Sequence, residues 1–230
     1  MRELDKKDLS WAVRLLPDEI VALMKRHGPE LILGGGYLRA TIANEKVNDL
    51  DLFTSSATQA KLYADFLAAQ VGRKLYETPN AYSLRLPRGH FVQFIHRWTF
   101  PRPEALLESF DFTIACAAIW VKSGKWTSLA DDNFYSDLGS KRLVYRSPAR
   151  NEDAGGSLLR VLKYYQRGYR IPLDSLGAVL ARIHKGTTDG EYVNEKDIAA
   201  EYTRLLVTVD PQVYPIHEAH LPAEDPDAVA

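Results

Sequence analysis

The stretch 31-LILGGGYLRATIANEKVNDLDLF-53 decides how this chain is read. An apolar run, Leu31 to Leu33, meets a glycine turn, Gly34 to Gly36. A helix-compatible segment, "YLRATIA", comes next, and then "VNDLDLF", where Val47, Asp49 and Asp51 alternate with Leu50 and Leu52. That alternation predicts a strand, on which residues i and i+2 face the same way. Asp49 and Asp51 therefore project two carboxylates to one side. Such a pair repels itself and raises each partner's pKa unless a cation neutralises it. Oxygen-only ligands of this kind suit Mg²⁺, which binds through one or two carboxylates together with substrate phosphates. Glycines at a strand-to-helix turn let backbone N–H groups approach an anion, and Arg39, one turn into the helix, adds a cationic donor. Alone, D-x-D is a weak signal and reads more readily as two solvated aspartates. The order of strand, glycines, helix with Arg39 and then D-x-D points to metal-assisted phosphoryl transfer.

The rest of the chain bounds that reading. Its 230 residues are enough for a real core, and 46% hydrophobic with 26% charged is an ordinary globular profile. A formal net charge of −1 excludes a globally basic nucleic-acid binder but allows a local patch. A single cysteine, Cys116, forms no internal disulfide. The charged N-terminus lacks a signal peptide's apolar core, and the run "IACAAIWV" is too short to span a bilayer. The expectation is a cytoplasmic protein without a membrane partner.

Outward from the opening stretch, residues 9–27 read as helical, with a second helix start at Pro17-Asp18-Glu19. "SSATQAKLYADFLAAQVG" is a helix with a Ser or Thr cap and a terminal glycine. "SLRL" and "HFVQFIHRW" are strands, "RPEALLES" is a short helix, and "FDFTIACAAIWV" is a strand. Near residue 150 the pattern turns helical, with three helices in "GGSLLRVLKYYQRGY", "LDSLGAVLARIHKG" and "NEKDIAAEYTRLLV". The predicted organisation is an α/β head over 1–148, a helical neck-like region over 149–210 and an acidic, disordered tail over 211–230. Residues 141–170 carry eight Lys or Arg against two acids, and residues 186–230 carry ten acids against two bases. The acidic end is expected to compete with an anionic acceptor for the basic segment, and RNA binding there should weaken as salt rises.

"LGGGYLRA…VNDLDLF" resembles the head of the class II nucleotidyltransferases, the bacterial poly(A) polymerase and CCA-adding enzyme family, which shows G-G-x-x-R-D and then D-x-D. Gly35, Gly36 and Arg39 fit the first motif, and Asp49 and Asp51 fit the second. "SFDFTIACAAI" resembles that family's R-R-D-F-T-I-N-A segment through Asp111, Phe112, Thr113 and Ile114. "YSDLGSKRLVY" resembles the segment closing the head, and "SLLRVLKYYQRGYRI" resembles the neck helix through Arg160, Lys163 and Gly168. The chain departs from the pattern at Ala40 (Asp in the family), at Ser109 and Phe110 (paired arginines), and at Ala154 and Ser157 in the neck. Gln93 stands where the wider polymerase-β-like superfamily often has a third carboxylate. The residues after the neck motif are too few for that family's RNA-binding body and tail.

The resemblance implies a small mixed sheet flanked by helices, followed by a helical neck. It also implies transfer of a nucleoside monophosphate from an NTP to an acceptor hydroxyl, with pyrophosphate released. Asp49 and Asp51 would hold Mg²⁺ or Mn²⁺; Gly35, Gly36 and Arg39 would bind phosphates; Arg160 and Lys163 would contact the base. Asp111 would lie near the sugar or complete the metal site. The acceptor is expected to be an RNA 3′ end, tRNA-like, with a protein side chain or small molecule as the other options. A second reading, favoured by Gln93 and the missing arginines, is a catalytically weak nucleotide- or RNA-binding protein that keeps the fold.

Other motifs compete poorly. No Gly-Lys-Ser/Thr follows the glycines, which excludes a P-loop, and a Rossmann fingerprint would need glycine at Arg39. His217 and His220 lack the zincin spacing, and His90 and His96 read as structural or surface groups. Cys116 has no activating neighbour in the sequence and reads as core. Of Tyr164, Tyr165 and Tyr169, two are expected in the core and one is free to stack.

Overall fold

The computed structural model describes residues 1–148, 154–186 and 194–207. These fall into two compact units, one ending at Ser140 and the other starting at Lys141. The expected acidic tail lies outside the described residues, as do His217 and His220.

The first unit opens with α1 (Lys6–Leu15) and α2 (Asp18–His27). Pro17 at the N-cap of α2 ends the first helix and starts the second, with Asp18 and Glu19 in the first turn where the helix dipole favours acids. Next come β1 (Ile32–Gly34), α3 (Gly36–Ile42), β2 (Asp49–Phe53) and α4 (Ala57–Val71). Helix α4 begins where the Ser56 side chain accepts the Gln59 N–H and ends where Gly72 turns left-handed at φ 65°. Strands β3 (Tyr76–Glu77), β4 (Ala81–Arg85) and β5 (Phe91–Ile95) lead to α5 (Pro103–Ser109). The unit closes with β6 (Ala117–Lys122), β7 (Lys125–Ala130) and α6 (Phe134–Gly139).

The strands form one mixed sheet in the order β3-β4-β5-β2-β1-β6-β7, parallel between β2 and β5 and antiparallel elsewhere. Register assigns the faces. Ile32, Phe53, Ala81, Ile95, Ala118 and Trp120 share one face and form an apolar cluster with Leu106 and Leu107 of α5. Helix α4 packs on the other face, where Lys61 Nζ lies 5.6 Å from the Tyr82 ring. Asp49 and Asp51 belong to the face covered by α5, on the stretch of β2 that precedes Phe53.

One expected element differs. Strand β6 begins only at Ala117, and Thr113–Ala115 form a 3₁₀ turn instead of continuing it backwards. Local bonds hold that turn: Ala115 N–H to Phe112 O at 2.9 Å and Cys116 N–H to Thr113 O at 3.1 Å. The Thr113 hydroxyl donates to Asp137 Oδ2 at 2.7 Å, and Cys116 Sγ lies 3.2 Å from Phe112 O. Together these partners outcompete the strand preference of β-branched residues.

The second unit holds α7 (Ala154–Gln166), α8 (Leu173–Gly186) and α9 (Glu195–Val207). Gly155 has no room for a side chain, since a Cβ there would stand 2.9 Å from the Leu205 carbonyl oxygen, so α7 and α9 cross with backbones close. Tyr164 and Tyr169 are buried with ring centroids 5.6 Å apart, and Tyr165 is exposed beneath Arg170. No helix among the described residues is long and apolar enough to cross a membrane.

Candidate active site

The site is built at the end of β1. Antiparallel pairing sets Gly34 directly beside Asp51. A Cβ on Gly34 would meet Leu106 Cδ2 at 3.1 Å and Phe110 Cζ at 3.4 Å, so the glycine is what lets α5 and Phe110 close over the sheet there. Gly35 follows at φ 73° and ψ −138°, a conformation that side chains with a Cβ rarely adopt. A Cβ on it would stand 3.3 Å from Asp51 Oδ2. The carboxylate of Asp51 thus lies against the bare backbone of the turn. Around Gly36 that position is open.

Asp49 and Asp51 are both half-exposed, while Leu50 and Leu52 between and after them are buried on the opposite face. The predicted same-face pair is therefore present and reachable by solvent. Side chains at i and i+2 stand roughly 7 Å apart on a strand, where two unit charges repel by about 0.6 kcal/mol in water and about 2.4 kcal/mol at an effective dielectric of 20. A divalent cation between them converts that repulsion into attraction.

The other sequence-predicted residues divide. Arg39 is only 3% exposed and its guanidinium pairs with Glu45. The Glu45 N–H also donates to Ala40 O at 2.7 Å, so this pair fixes the loop between α3 and β2. Tyr37, in the same helix, donates its hydroxyl to Ala12 O at 2.7 Å, and burial pushes its pKa up to about 12. Asp111 is 4% exposed, in the link between α5 and the 3₁₀ turn. Among the described residues no group of three or more His, Cys, Asp or Glu is placed to hold a metal. Arg160 (half-buried) and Lys163 (exposed) lie one turn apart on α7, in the second unit. Cys116 is buried, and His96 Nε2 sits 3.0 Å from Thr78 O, in keeping with structural roles.

Two residues stand at the site for reasons only the fold reveals. Gln93 is the register partner of Asp51 on β5. Phe110 walls the glycine turn, its ring edge-on to Phe53 with centroids 6.1 Å apart. The sequence marks both only as departures from the family pattern.

The donor set fits a hard divalent cation: two carboxylates on one face, solvent access, and a glycine backbone beside one of them. It offers two acidic ligands rather than three.

Comparison with known proteins identifies relatives in both sequence and shape. The family model described as "Gabija anti-defense 2 family protein" matches residues 3–141. A protein named Gabija anti-defense 2, from Bacillus phage SPbetaL7, is 28% identical over 158 residues, covering 68% of this chain and 37% of the phage protein. Among solved structures, a Thermotoga maritima CCA-adding enzyme complexed with tRNA_CCA superimposes with a TM-score of 0.60 at 18% identity, covering 93% of this chain and 58% of the enzyme. A CCA-adding enzyme in complex with ATP gives 0.60 at 21% identity, covering 93% and 57%. The chain thus spans little more than a third of the phage relative and under two thirds of the enzymes. The structural likeness establishes the class II nucleotidyltransferase-like fold, a mixed sheet flanked by helices.

Proposed function

The chain belongs to the Gabija anti-defense 2 family, and on that premise we propose that it is a metal-dependent nucleotidyltransferase whose reaction serves an anti-defence role. The observation that carries the reading is the same-face carboxylate pair at the open end of β2, with Asp51 lying against the Gly35 backbone. The reaction is transfer of a nucleoside monophosphate from an NTP to an acceptor hydroxyl. The acceptor oxygen attacks the α-phosphorus, the α–β bridging P–O bond breaks, pyrophosphate leaves, and the hydroxyl proton passes to solvent. Asp49 and Asp51 would hold Mg²⁺ or Mn²⁺, which supplies charge neutralisation at the triphosphate and a more acidic acceptor hydroxyl when bound.

The chain's own residues orient the substrate. The N–H groups at Gly35 and Gly36 face the phosphates, and the absence of side chains there permits close approach. Arg39 holds Glu45 and so fixes the loop leading into β2; a direct phosphate contact requires that pair to open. Asp111 is assigned to the sugar, and Arg160 and Lys163 to the base, on the motif resemblance. An RNA 3′ end is the favoured acceptor, in line with the tRNA and ATP named in the complexes of similar fold.

The absence of a three-acid cluster among the described residues favours a second reading, a nucleotide- or RNA-binding protein with little catalysis. One experiment separates the two. The protein, and separately its Asp51→Asn variant, is incubated with each α-labelled NTP, Mg²⁺ and total cellular RNA. Label entering RNA with wild type and not with the variant supports transfer. NTP binding with no label in RNA, protein or small molecules supports the binder.

A further inference from the structure

The basic segment read from the sequence, residues 141–170, lies in the second unit. The fold assembles another within the first. Residues 72–102 carry six Lys or Arg against one acid, Glu77, in a chain of net charge −1. Strand pairing gathers four of these cations at one end of the sheet. Phe91 on β5 is the register partner of both Asp49 on β2 and Arg85 on β4. The turn over 86–90, closed by a 2.8 Å bond from the Gly89 N–H to Leu86 O, carries Arg88 at that same end. Tyr76 pairs with Ser83 in antiparallel register, so Arg73 and Lys74 run toward the Arg85 end of β4. All four cations are exposed, and among the described residues none of them forms an ion pair.

Two aromatic rings accompany them on the face that carries the aspartates. Directly paired residues share a face, so Arg85, Phe91 and Asp49 form one row, and Tyr76, Ser83, Gln93 and Asp51 form the next. Arg85 is two strand spacings from Asp49, about 10 Å. Phe91 is half-exposed, and Tyr76 is 44% exposed, with Lys74 Nζ 5.4 Å from its ring centroid. A lysine on an edge strand deters unwanted pairing, which accounts for Lys74. It does not account for Arg85 on an inner strand, for Arg88, or for rings left in solvent between unpaired cations.

We propose that this wing of the sheet, β3 to β5, is the docking track for a single-stranded RNA acceptor whose 3′ end reaches Asp49 and Asp51. Bases stack on Phe91 and Tyr76, while Arg73, Lys74, Arg85 and Arg88 hold phosphates. The inference rests on the nucleotidyltransferase reading and names the surface that presents its acceptor. Interleaved rings and cations suit a single strand, because a duplex hides its base faces and would engage the cations alone.

The test is binding of a fluorescent single-stranded RNA of about twelve nucleotides to the full chain, by anisotropy, without NTP and across a salt series. The double variant Arg85→Gln/Arg88→Gln should bind at least about tenfold more weakly at low salt. Its log–log salt slope should be shallower by about 1.4, the value for two lost phosphate contacts on a single strand. Tyr76→Leu should bind at least about fivefold more weakly with the slope unchanged, because it removes stacking and no charge. An RNA hairpin duplex should bind more weakly than the single strand and be indifferent to Tyr76→Leu. All the substituted side chains are exposed, so circular dichroism should match wild type. Unchanged affinity and slope in the folded double variant overturns the proposal, as does a duplex bound as tightly as the single strand. A wild type that binds no RNA also overturns it, and leaves nucleotidyl transfer standing with a protein or small-molecule acceptor. RNA binding that depends on the wing, in a protein that transfers no label from any NTP, upholds the docking track and overturns transfer alone.

Discussion

Strand β2 carries two different environments on one face. Asp49 and Asp51 are half-exposed, and Phe53, two residues further on the same face, is buried among Ile32, Ile95, Leu106 and Leu107. Leu106 of helix α5 closes over the sheet at Gly34, and Phe110 reaches on to the edge of Gly35. The dry end holds the fold together, and the open end presents charge. Chemistry and stability should therefore respond to substitution separately, although a few ångströms divide the two ends.

Asp51→Asn should show the largest effect. Nucleotidyl transfer is expected to fall about a thousandfold, roughly 4 kcal/mol in kcat/KM. The melting temperature should hold or rise slightly, because a repulsive pair is relieved. A variant that keeps its activity, or that melts clearly below wild type, breaks the contrast. At the dry end, Leu107→Ala removes a fully buried side chain of α5 and should cost about 3 kcal/mol in urea unfolding. Its kcat/KM per folded molecule should stay within about threefold of wild type.

Gly35 lies on the boundary and should feel both effects. Gly35→Ala forces a Cβ into a left-handed conformation and against Asp51 Oδ2. A stability loss of about 1–2 kcal/mol should accompany a drop in transfer. Loss of stability without loss of transfer would place the phosphates away from this turn.

The smallest effect belongs to the helical layer on the opposite face. His27 stands with its ring 4.2 Å from that of Tyr63 and its Nε2 buried without a partner among the described residues. Burial, and then the charge of Arg26, lower its pKa below the ordinary value of 6.5. The neutral ring is favoured in the fold, so its contribution is complete above pH 6.5 and lost as pH falls toward the lowered value. The urea midpoint of wild type should shift down slightly between pH 7 and pH 5.5, and His27→Gln should remove that part of the shift. Transfer activity should be indifferent to the substitution.

What was legible in the sequence follows how far apart the determining residues lie. The glycine turn, the alternation of β2 and both caps of α4 are local signals, and each is where the sequence places it. Hairpin β6–β7 shows no clear alternation in sequence, and only the turn marks it: Ser123 and Gly124, both at positive φ, form the two-residue turn that joins such strands. The 3₁₀ turn at Thr113 has no such local mark, since its hydroxyl partner, Asp137, is 24 residues away. The burial of Arg39 depends on Glu45, a loop residue that no periodicity marks. The place of Gln93 at the site comes from parallel pairing between strands some forty residues apart, which only the assembled sheet reveals.

The central claim, that the open end of β2 is a metal and nucleotide site, is tested most directly by a crystal structure with Mn²⁺ and a non-hydrolysable NTP analogue. The expected result is an anomalous peak for manganese within ligand distance of the Asp49 and Asp51 carboxylates, with the triphosphate against Gly35 and Gly36. Manganese and phosphates bound together elsewhere, with Asp49 and Asp51 contacting neither, would contradict it.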